Sequence, residues 1–301
     1  MTGIEGIVPI LLTPFDAAGK IDYASLEREV AATLDAGVHG IGIAIGSEIF
    51  KLTQAERRDM LRAVSAQVAG RVPVVMNTSA PGTDVAVELA EEAAGAGATR
   101  LMIWPPDFFP TGPDAVVLHL KRIADATGLP IILQDVPQSP IPAPLALRIA
   151  DEVPLVDTIK VETQPTVGQV ARMVQALDGR LAVLGGAGGG TLVEEFRRGA
   201  RGTMPFASQA REFVSAWNCL TAGDEAQAER ILETRILPVS RLASQSGDMF
   251  YHVHKALLVK SGVFQAATVR LPTAFPDQVT LGELSRLLDR LVGEGSASYS
   301  V

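Results

Sequence analysis

Residues 35–43 (DAGVHGIGI), 68–76 (VAGRVPVVM) and 95–103 (GAGATRLMI) share one order of features. In each, the end of an amphipathic segment is followed by a glycine and then by a short apolar run. Glycine commonly ends a helix, and an apolar run without alternation is typical of a strand covered on both faces. The three stretches recur about every 30 residues, the length of one βα unit.

The same pattern continues over three quarters of the chain. Eight apolar runs occur, at residues 7–12, 40–45, 72–76, 100–104, 130–134, 156–160, 181–184 and 202–204. Amphipathic segments separate them, and one begins with Thr53 and Glu56 at the spacing of a capping box. Eight similar units without a dinucleotide-binding fingerprint favour a closed barrel over an open doubly wound sheet.

The strand signal stops after residue 221. Three further helices are predicted, at residues 225–244, 250–262 and 281–292. We therefore predict an α/β fold, a (β/α)8 TIM barrel over residues 1–223, with a three-helix extension over residues 224–301 that packs on the barrel.

Composition excludes several classes of function. The chain has 301 residues, 47% hydrophobic, a net charge of −8 and a pI near 5.1, which argues against nucleic acid or an anionic membrane as partner. Cys219 is the only cysteine, so a disulfide within the chain and cysteine-based zinc sites are excluded. No signal peptide or long apolar run is visible, so we expect a cytoplasmic protein.

Lys160 ends the apolar run at residues 156–160, where a solvated lysine is not expected. Active sites of barrels lie at the C-terminal ends of the strands. Burial disfavours an ammonium, and a neutral amine can attack a ketone. The alternative is a lysine that extends to solvent or pairs with a carboxylate. Glu162, two residues on, faces the same way in an extended strand and either shuttles a proton or forms a simple salt bridge.

Other strand ends offer weaker signals. Gln134 and Asp135 are polar, and alternation places only one of them inside the barrel. Gly46, Ser47 and Glu48 follow the second run, where a carboxylate-binding loop and an ordinary turn are both possible. Thr78 follows the third run and is either a ligand or a turn former.

Gly186 lies in a GGAGGG segment, at residues 185–190, which matches no phosphate-binding motif. Close approach of its backbone to a substrate is the favoured interpretation. The four histidines are not spaced as a metal set, so we expect no metal and no cofactor.

These stretches together resemble the dihydrodipicolinate synthase/N-acetylneuraminate lyase family. The resemblance rests on residues 46–57 (GSEIFKLTQAER), 72–80 (VPVVMNTSA), 130–137 (PIILQDVP) and 158–163 (TIKVET). It implies a homo-oligomeric barrel, a tetramer or a dimer, in which Lys160 forms a Schiff base with a 2-oxo acid such as pyruvate. It also implies that Gly46–Glu48 receives the substrate carboxylate, with Ser47 as hydroxyl donor.

Two departures from the common family pattern affect the predicted activity. Residues 44–48 read AIGSE rather than GTTGE, and Gln134–Asp135 replace the Tyr-Asn pair that carries the relay tyrosine. The changes resemble those of the 2-keto-3-deoxy sugar acid dehydratases, in particular the L-2-keto-3-deoxyarabonate dehydratases. That resemblance implies Glu162 as the proton donor to the departing hydroxyl, with Gln134 orienting the substrate.

Three hypotheses therefore stand. The first is a Schiff-base lyase that dehydrates a short 2-keto-3-deoxy sugar acid. The second is a pyruvate-dependent aldolase or retro-aldolase that begins with the same imine. The third is a catalytically silent protein that binds 2-oxo acids.

Overall fold

The computed structural model describes residues 3–108 and 111–294, and side chains through Leu291. Eight parallel strands form one sheet in the order β1-β8-β7-β6-β5-β4-β3-β2. The strands are β1 Gly6–Ile7, β2 Ile41–Ile43, β3 Val74–Asn77, β4 Arg100–Ile103, β5 Ile131–Asp135, β6 Val156–Val161, β7 Ala182–Gly185 and β8 Gly202–Thr203. Each of the eight predicted runs overlaps one of these strands.

The barrel closes between its first two strands. The N–H of Leu11 donates to Gly42 O over 2.9 Å, and the N–H of Gly42 donates to Pro9 O over 2.9 Å. The predicted first run was residues 7–12, whereas the regular ladder stops at Ile7. Pro9 explains the difference, because it has no N–H to donate. The prediction of a (β/α)8 barrel is confirmed.

Helices alternate with the strands and cover the outside of the sheet. They are α1 Tyr23–Asp35, α2 Gln54–Val68, α3 Thr83–Gly95, α4 Pro113–Thr127, α5 Ala143–Glu152, α6 Thr166–Leu177, α7 Leu192–Phe196 and α8 Ala210–Thr221. The predicted capping box is present, since Thr53 Oγ1 accepts from the N–H of Glu56 and the Glu56 carboxylate accepts from the N–H of Thr53.

The extension has helices where they were predicted, α9 Glu225–Ile231, α10 Leu237–Ala243, α11 Met249–Lys260 and α12 Gln278–Glu294. The π-helical turn Leu232–Ile236 joins α9 to α10, so the first predicted helix is nearly continuous. The extension contacts the barrel through Tyr251 of α11, whose hydroxyl donates to Ile45 O over 2.6 Å. The boundary at residue 223 remains a prediction.

Strand alternation divides the core into two parts. Val74, Leu101 and Ile131 belong to the large cluster between sheet and helices. A smaller cluster inside the barrel includes Val75, Met102, Ile132, Leu184 and Met204. Because side chains alternate along a strand, residue 134 lies on the inner side with Ile132, and residue 77 with Val75. The inner positions near the C-terminal ends are where polar side chains occur.

Candidate active site

Lys160 and Gln134 lie side by side at the C-terminal ends of β6 and β5. Their Cα atoms are register partners in the parallel ladder, so both side chains point into the barrel. Both are buried, with 5% of Lys160 and 1% of Gln134 exposed. Asp135 points the other way and accepts hydrogen bonds from the N–H of Ile141 and from Thr163. Only one of the two adjacent polar residues is therefore inside, and it is Gln134.

Glu162 brings a carboxylate to the lysine. Its Oε1 lies 3.1 Å from Lys160 Nζ. The same oxygen accepts from the N–H of Ala187 over 3.1 Å, and Oε2 accepts from Gln134 Nε2 over 2.5 Å. An amine, an amide and a carboxylate thus form one hydrogen-bonded group inside the barrel.

A chain of donors fixes the orientation of this group. The N–H of Ser79 donates to Asn77 Oδ1 over 3.1 Å, which leaves Asn77 Nδ2 to donate to Gln134 Oε1 over 3.1 Å. Gln134 must then present its Nε2 to Glu162. Because a backbone N–H cannot accept a hydrogen bond, every amide in the chain has one allowed orientation.

Asn77 was missed from the sequence, although it ends an apolar strand just as Gln134 does. Thr78, the neighbour that was predicted to bind substrate, is buried and lies outside the main cavity. Its hydroxyl has no hydrogen-bond partner within residues 3–108 and 111–294. Its predicted role stays a prediction.

The pKa of Glu162 reflects opposing influences. Burial favours the neutral acid, but the charge of Lys160 and the hydrogen bonds from Gln134 and Ala187 favour the carboxylate. The net result is a pKa below the ordinary value of a glutamate. Glu162 is therefore held as an anion while Lys160 is cationic, and loss of that cation removes the largest influence that keeps it ionised.

Gly186 packs against both reactive side chains. A Cβ at this position would lie 2.3 Å from Glu162 Cγ and 2.9 Å from Lys160 Cε. Real side chains do not approach so closely, so the site has room for hydrogen alone there. Its predicted contact with substrate remains a prediction, and its contact with Lys160 and Glu162 supplies a separate reason for a glycine.

The loop after β2 divides into parts with different surroundings. Gly46 lines the cavity. The Ser47 hydroxyl is buried, donates to Leu11 O and accepts from the N–H of Ala44. Glu48 is absent from the cavity lining and forms a buried ion pair with Lys255 of α11. In this conformation Gly46 alone of the three lines the cavity, so the predicted roles of Ser47 and Glu48 stay predictions.

These groups open into a cavity of about 580 Å³ at the C-terminal end of the barrel. Lys160, Glu162 and Gln134 lie on its floor, and Ile10, Met204 and Phe206 contribute an apolar side. The extension supplies the rest of its wall, from Ser240, Ala243, Ser244, Ser246, Gly247, Phe250 and His254. The cavity has the size typical of a small-molecule site.

His254 of α11 also lines the cavity. Burial lowers its pKa to about 3, so the ring is neutral at physiological pH. Its Nδ1 lies 2.7 Å from the Ser208 hydroxyl, and its ring lies 4.2 Å from that of Phe206. The imidazole is fixed in position by these contacts. It therefore offers the cavity a surface for packing and hydrogen bonding but no positive charge.

Within the described ranges, no group of three or more His, Cys, Asp or Glu side chains is placed to hold a metal ion. Among the helices of those same ranges, none is long and apolar enough to cross a membrane.

The fold and the site define a (β/α)8-barrel protein with a buried lysine and a glutamate at the mouth of the barrel. Residues 3–291 match the model of the dihydrodipicolinate synthetase family. The chain therefore belongs to this family of lyases, which confirms the family predicted from the sequence.

Two relatives carry different activities in their names. The chain is 32% identical to L-2-keto-3-deoxyarabonate dehydratase of Azospirillum brasilense, over 96% of both chains. It is 30% identical to 4-hydroxy-tetrahydrodipicolinate synthase of Pseudomonas putida (strain W619), over 89% of this chain and 92% of the relative. Dihydrodipicolinate synthase from Rhodopseudomonas palustris, a crystal structure, superposes with a TM-score of 0.86 at 27% identity, over 97% of this chain and all of that one.

Proposed function

We propose that this protein is a Schiff-base lyase that dehydrates a short 2-keto-3-deoxy sugar acid. The observation that carries the proposal is the buried Lys160 amine, which opens into a cavity and lies 3.1 Å from the Glu162 carboxylate. A buried lysine beside a proton acceptor is the arrangement that amine attack on a ketone requires.

Imine formation begins with a proton transfer inside this pair. Glu162 takes a proton from Lys160, and the neutral amine attacks C2 of the 2-oxo acid. One proton passes from the attacking nitrogen to the carbonyl oxygen, and a second proton from Glu162 releases that oxygen as water. A protonated imine and the Glu162 carboxylate remain. The substrate carboxylate lies toward Gly46, whose backbone borders the cavity. A part for Ser47 requires its hydroxyl to turn away from the Leu11 carbonyl.

The imine then withdraws electrons from C3. The Glu162 carboxylate removes a C3 proton to give an enamine, whose electron pair expels the C4 hydroxyl. Glu162 protonates that hydroxyl as it leaves, so one water is lost and no carbon–carbon bond breaks. Hydrolysis of the imine returns the Lys160 amine and the product. Gln134 holds Glu162 in place and cannot itself supply a proton, because an amide is not an acid at neutral pH.

The aldolase hypothesis is the second candidate, because it begins with the same imine. The glutamine at position 134, where the common family pattern has its relay tyrosine, favours dehydration. A silent binding protein remains the third. Its site would have no reason to keep the oriented chain from Ser79 to Glu162.

The proposal needs no cofactor and no metal, since the lysine supplies the covalent chemistry. Its partner is a small 2-oxo acid, without nucleic acid or membrane. We also propose a cytoplasmic homo-oligomer, a dimer or a tetramer, as the family resemblance implies.

Product analysis tests the proposed reaction. The protein is incubated with 3-deoxy-2-oxo pentonate, and the products are separated and identified by mass spectrometry. Lys160→Ala is the matched control. We expect one five-carbon product that is lighter by one water, and none from the variant. Pyruvate with a two-carbon aldehyde would establish the aldolase instead, and an unchanged substrate would favour the silent protein.

A further inference from the structure

The cavity has an outer wall that the barrel does not provide. Ser240 lies on α10, and Ser244 and Ser246 lie in the turn between α10 and α11. All three line the cavity that also holds Lys160 and Glu162. The extension therefore places hydroxyl groups in the same cavity as the reactive amine.

Two of these hydroxyls are available to a ligand. Ser244 Oγ donates to Arg241 O over 3.2 Å within its own turn. In the ranges that the structure describes, the hydroxyls of Ser240 and Ser246 make no hydrogen bond, although each can donate one and accept two. Ser246 is exposed and Ser240 half-buried, so a ligand can reach both.

The charges of the cavity limit what these serines can bind. Among its described lining residues, Lys160 is the sole lysine, and no arginine is present. His254 is neutral, because burial lowers its pKa to about 3. A second carboxylate or a phosphate at the far end of the substrate would have no counter-charge there, and Glu162 would repel it. A neutral chain of hydroxyl groups meets no such penalty.

The apolar side fits the same chain. Phe206 and Phe250 line the cavity with their ring centroids 5.4 Å apart, next to Met204. A methylene group packs on such rings without desolvating a polar group. One side of the cavity is therefore suited to a deoxygenated carbon and the serine wall to hydroxyls.

We propose that Ser240 and Ser246 bind the terminal hydroxyl of a short 2-oxo acid, whose 2-oxo group lies at Lys160 and whose distal chain is neutral and hydroxylated. This rests on the proposed function, and it makes the extension, rather than the barrel, the element that selects substrates by their distal end.

The test compares two substrates that differ only in the terminal hydroxyl, 3-deoxy-2-oxo pentonate and 4-hydroxy-2-oxopentanoate. Both keep the C4 hydroxyl that dehydration removes. We expect the wild-type protein to prefer the pentonate in kcat/KM. A neutral hydrogen bond contributes roughly 2- to 12-fold, so the double variant Ser240→Ala/Ser246→Ala should reduce that preference by about 4- to 140-fold. Its kcat/KM should fall less for 4-hydroxy-2-oxopentanoate than for the pentonate, because the former has no terminal hydroxyl to lose.

Two controls separate failure of this proposal from failure of the proposed function. Ser261→Ala removes a hydroxyl from the end of α11 that donates to Leu258 O and is absent from the cavity wall, so it should keep the wild-type preference. Borohydride trapping with pyruvate reports the imine independently of the distal wall. If the wild type still traps pyruvate, two results would overturn the role of the two serines. One is a double variant with the wild-type preference for the pentonate, and the other is a wild type without that preference. Loss of trapping in the wild type overturns both.

Discussion

Replacement of Glu162 by glutamine keeps the shape of the side chain but turns one acceptor oxygen into a donor. The glutamine keeps its oxygen where Lys160 Nζ and the N–H of Ala187 approach, each at 3.1 Å. Its NH2 group then faces Gln134 Nε2, which lies 2.5 Å from the native oxygen. Two donors oppose each other in a buried site.

Rotation of the amides cannot relieve this clash. If Gln134 turns over, its NH2 meets Asn77 Nδ2, and if Asn77 also turns over, its own NH2 meets the N–H of Ser79. That last donor is fixed in the backbone. One buried donor therefore stays unpaired, which costs about 1–3 kcal/mol of the free energy of unfolding. Loss of the proton-transfer group should lower the rate of dehydration by about 10²- to 10⁴-fold.

Asn77→Asp is the matched second change, because it reverses the whole chain. The aspartate accepts from the N–H of Ser79 and from a rotated Gln134, which in turn accepts from the new glutamine at position 162. Urea unfolding should then show that Asn77→Asp and Glu162→Gln are each destabilising alone, with a favourable coupling of about 0.5–3 kcal/mol in the double variant. Turnover should stay low, because the carboxylate no longer touches Lys160. Additive effects on stability would contradict the oriented chain of amides. Wild-type turnover in Glu162→Gln would contradict the role of Glu162 in proton transfer.

Three further predictions follow from buried groups. Burial raises the pKa of Glu29 to about 8, despite its hydrogen bond from the N–H of Leu12, so its stabilising effect is complete below pH 4.5 and is lost as pH rises through 8. Between pH 6.5 and 9, the free energy of unfolding of Glu29→Gln, measured by thermal unfolding, should therefore fall by about 2 kcal/mol less than that of the wild type. Equal decreases in the two proteins would contradict this prediction. Burial lowers the pKa of His254 to about 3, so its contribution is present above pH 6.5 and falls as pH drops toward 3. Between pH 7 and 5, the free energy of unfolding of the wild type, measured in urea, should fall by about 2 kcal/mol more than that of His254→Asn. Equal decreases in the two proteins would exclude His254 as the source of this acid sensitivity. Gly186→Ala should push Glu162 from Lys160, cost about 1–3 kcal/mol and reduce turnover, whereas Gly190→Ala, whose Cβ meets nothing nearer than 3.4 Å, should not.

The barrel was predictable because its strands are covered on both faces and recur with a regular spacing. The same alternation, once a strand is assigned, places Gln134 and Lys160 on one side and Asp135 on the other. Asn77 could have been found by this rule, since it ends β3 on the inner side with Val75. Thr78, the polar residue predicted near this strand end, directly follows Asn77.

Other features depend on contacts between distant segments. The ion pair of Glu48 with Lys255 joins residues 207 positions apart, and no local pattern announces it. Ser240 and Ser246 belong to a helix and a turn whose sequence gives no sign that they border the barrel mouth. The wall that the extension forms, with Phe250 and His254, depends on how these distant segments pack. Phe109, in the loop after β4, lies outside the described residues.

The most direct measurement is the intact mass of the protein after borohydride reduction in the presence of pyruvate. Borohydride converts an imine into a stable amine, so a covalent adduct records the reaction of one lysine. We expect one pyruvate-sized gain in mass for the wild type, located at Lys160 by peptide mapping, and none for Lys160→Ala. An adduct that persists in Lys160→Ala, or a wild-type protein without any adduct, would show that Lys160 is not the residue that forms the imine.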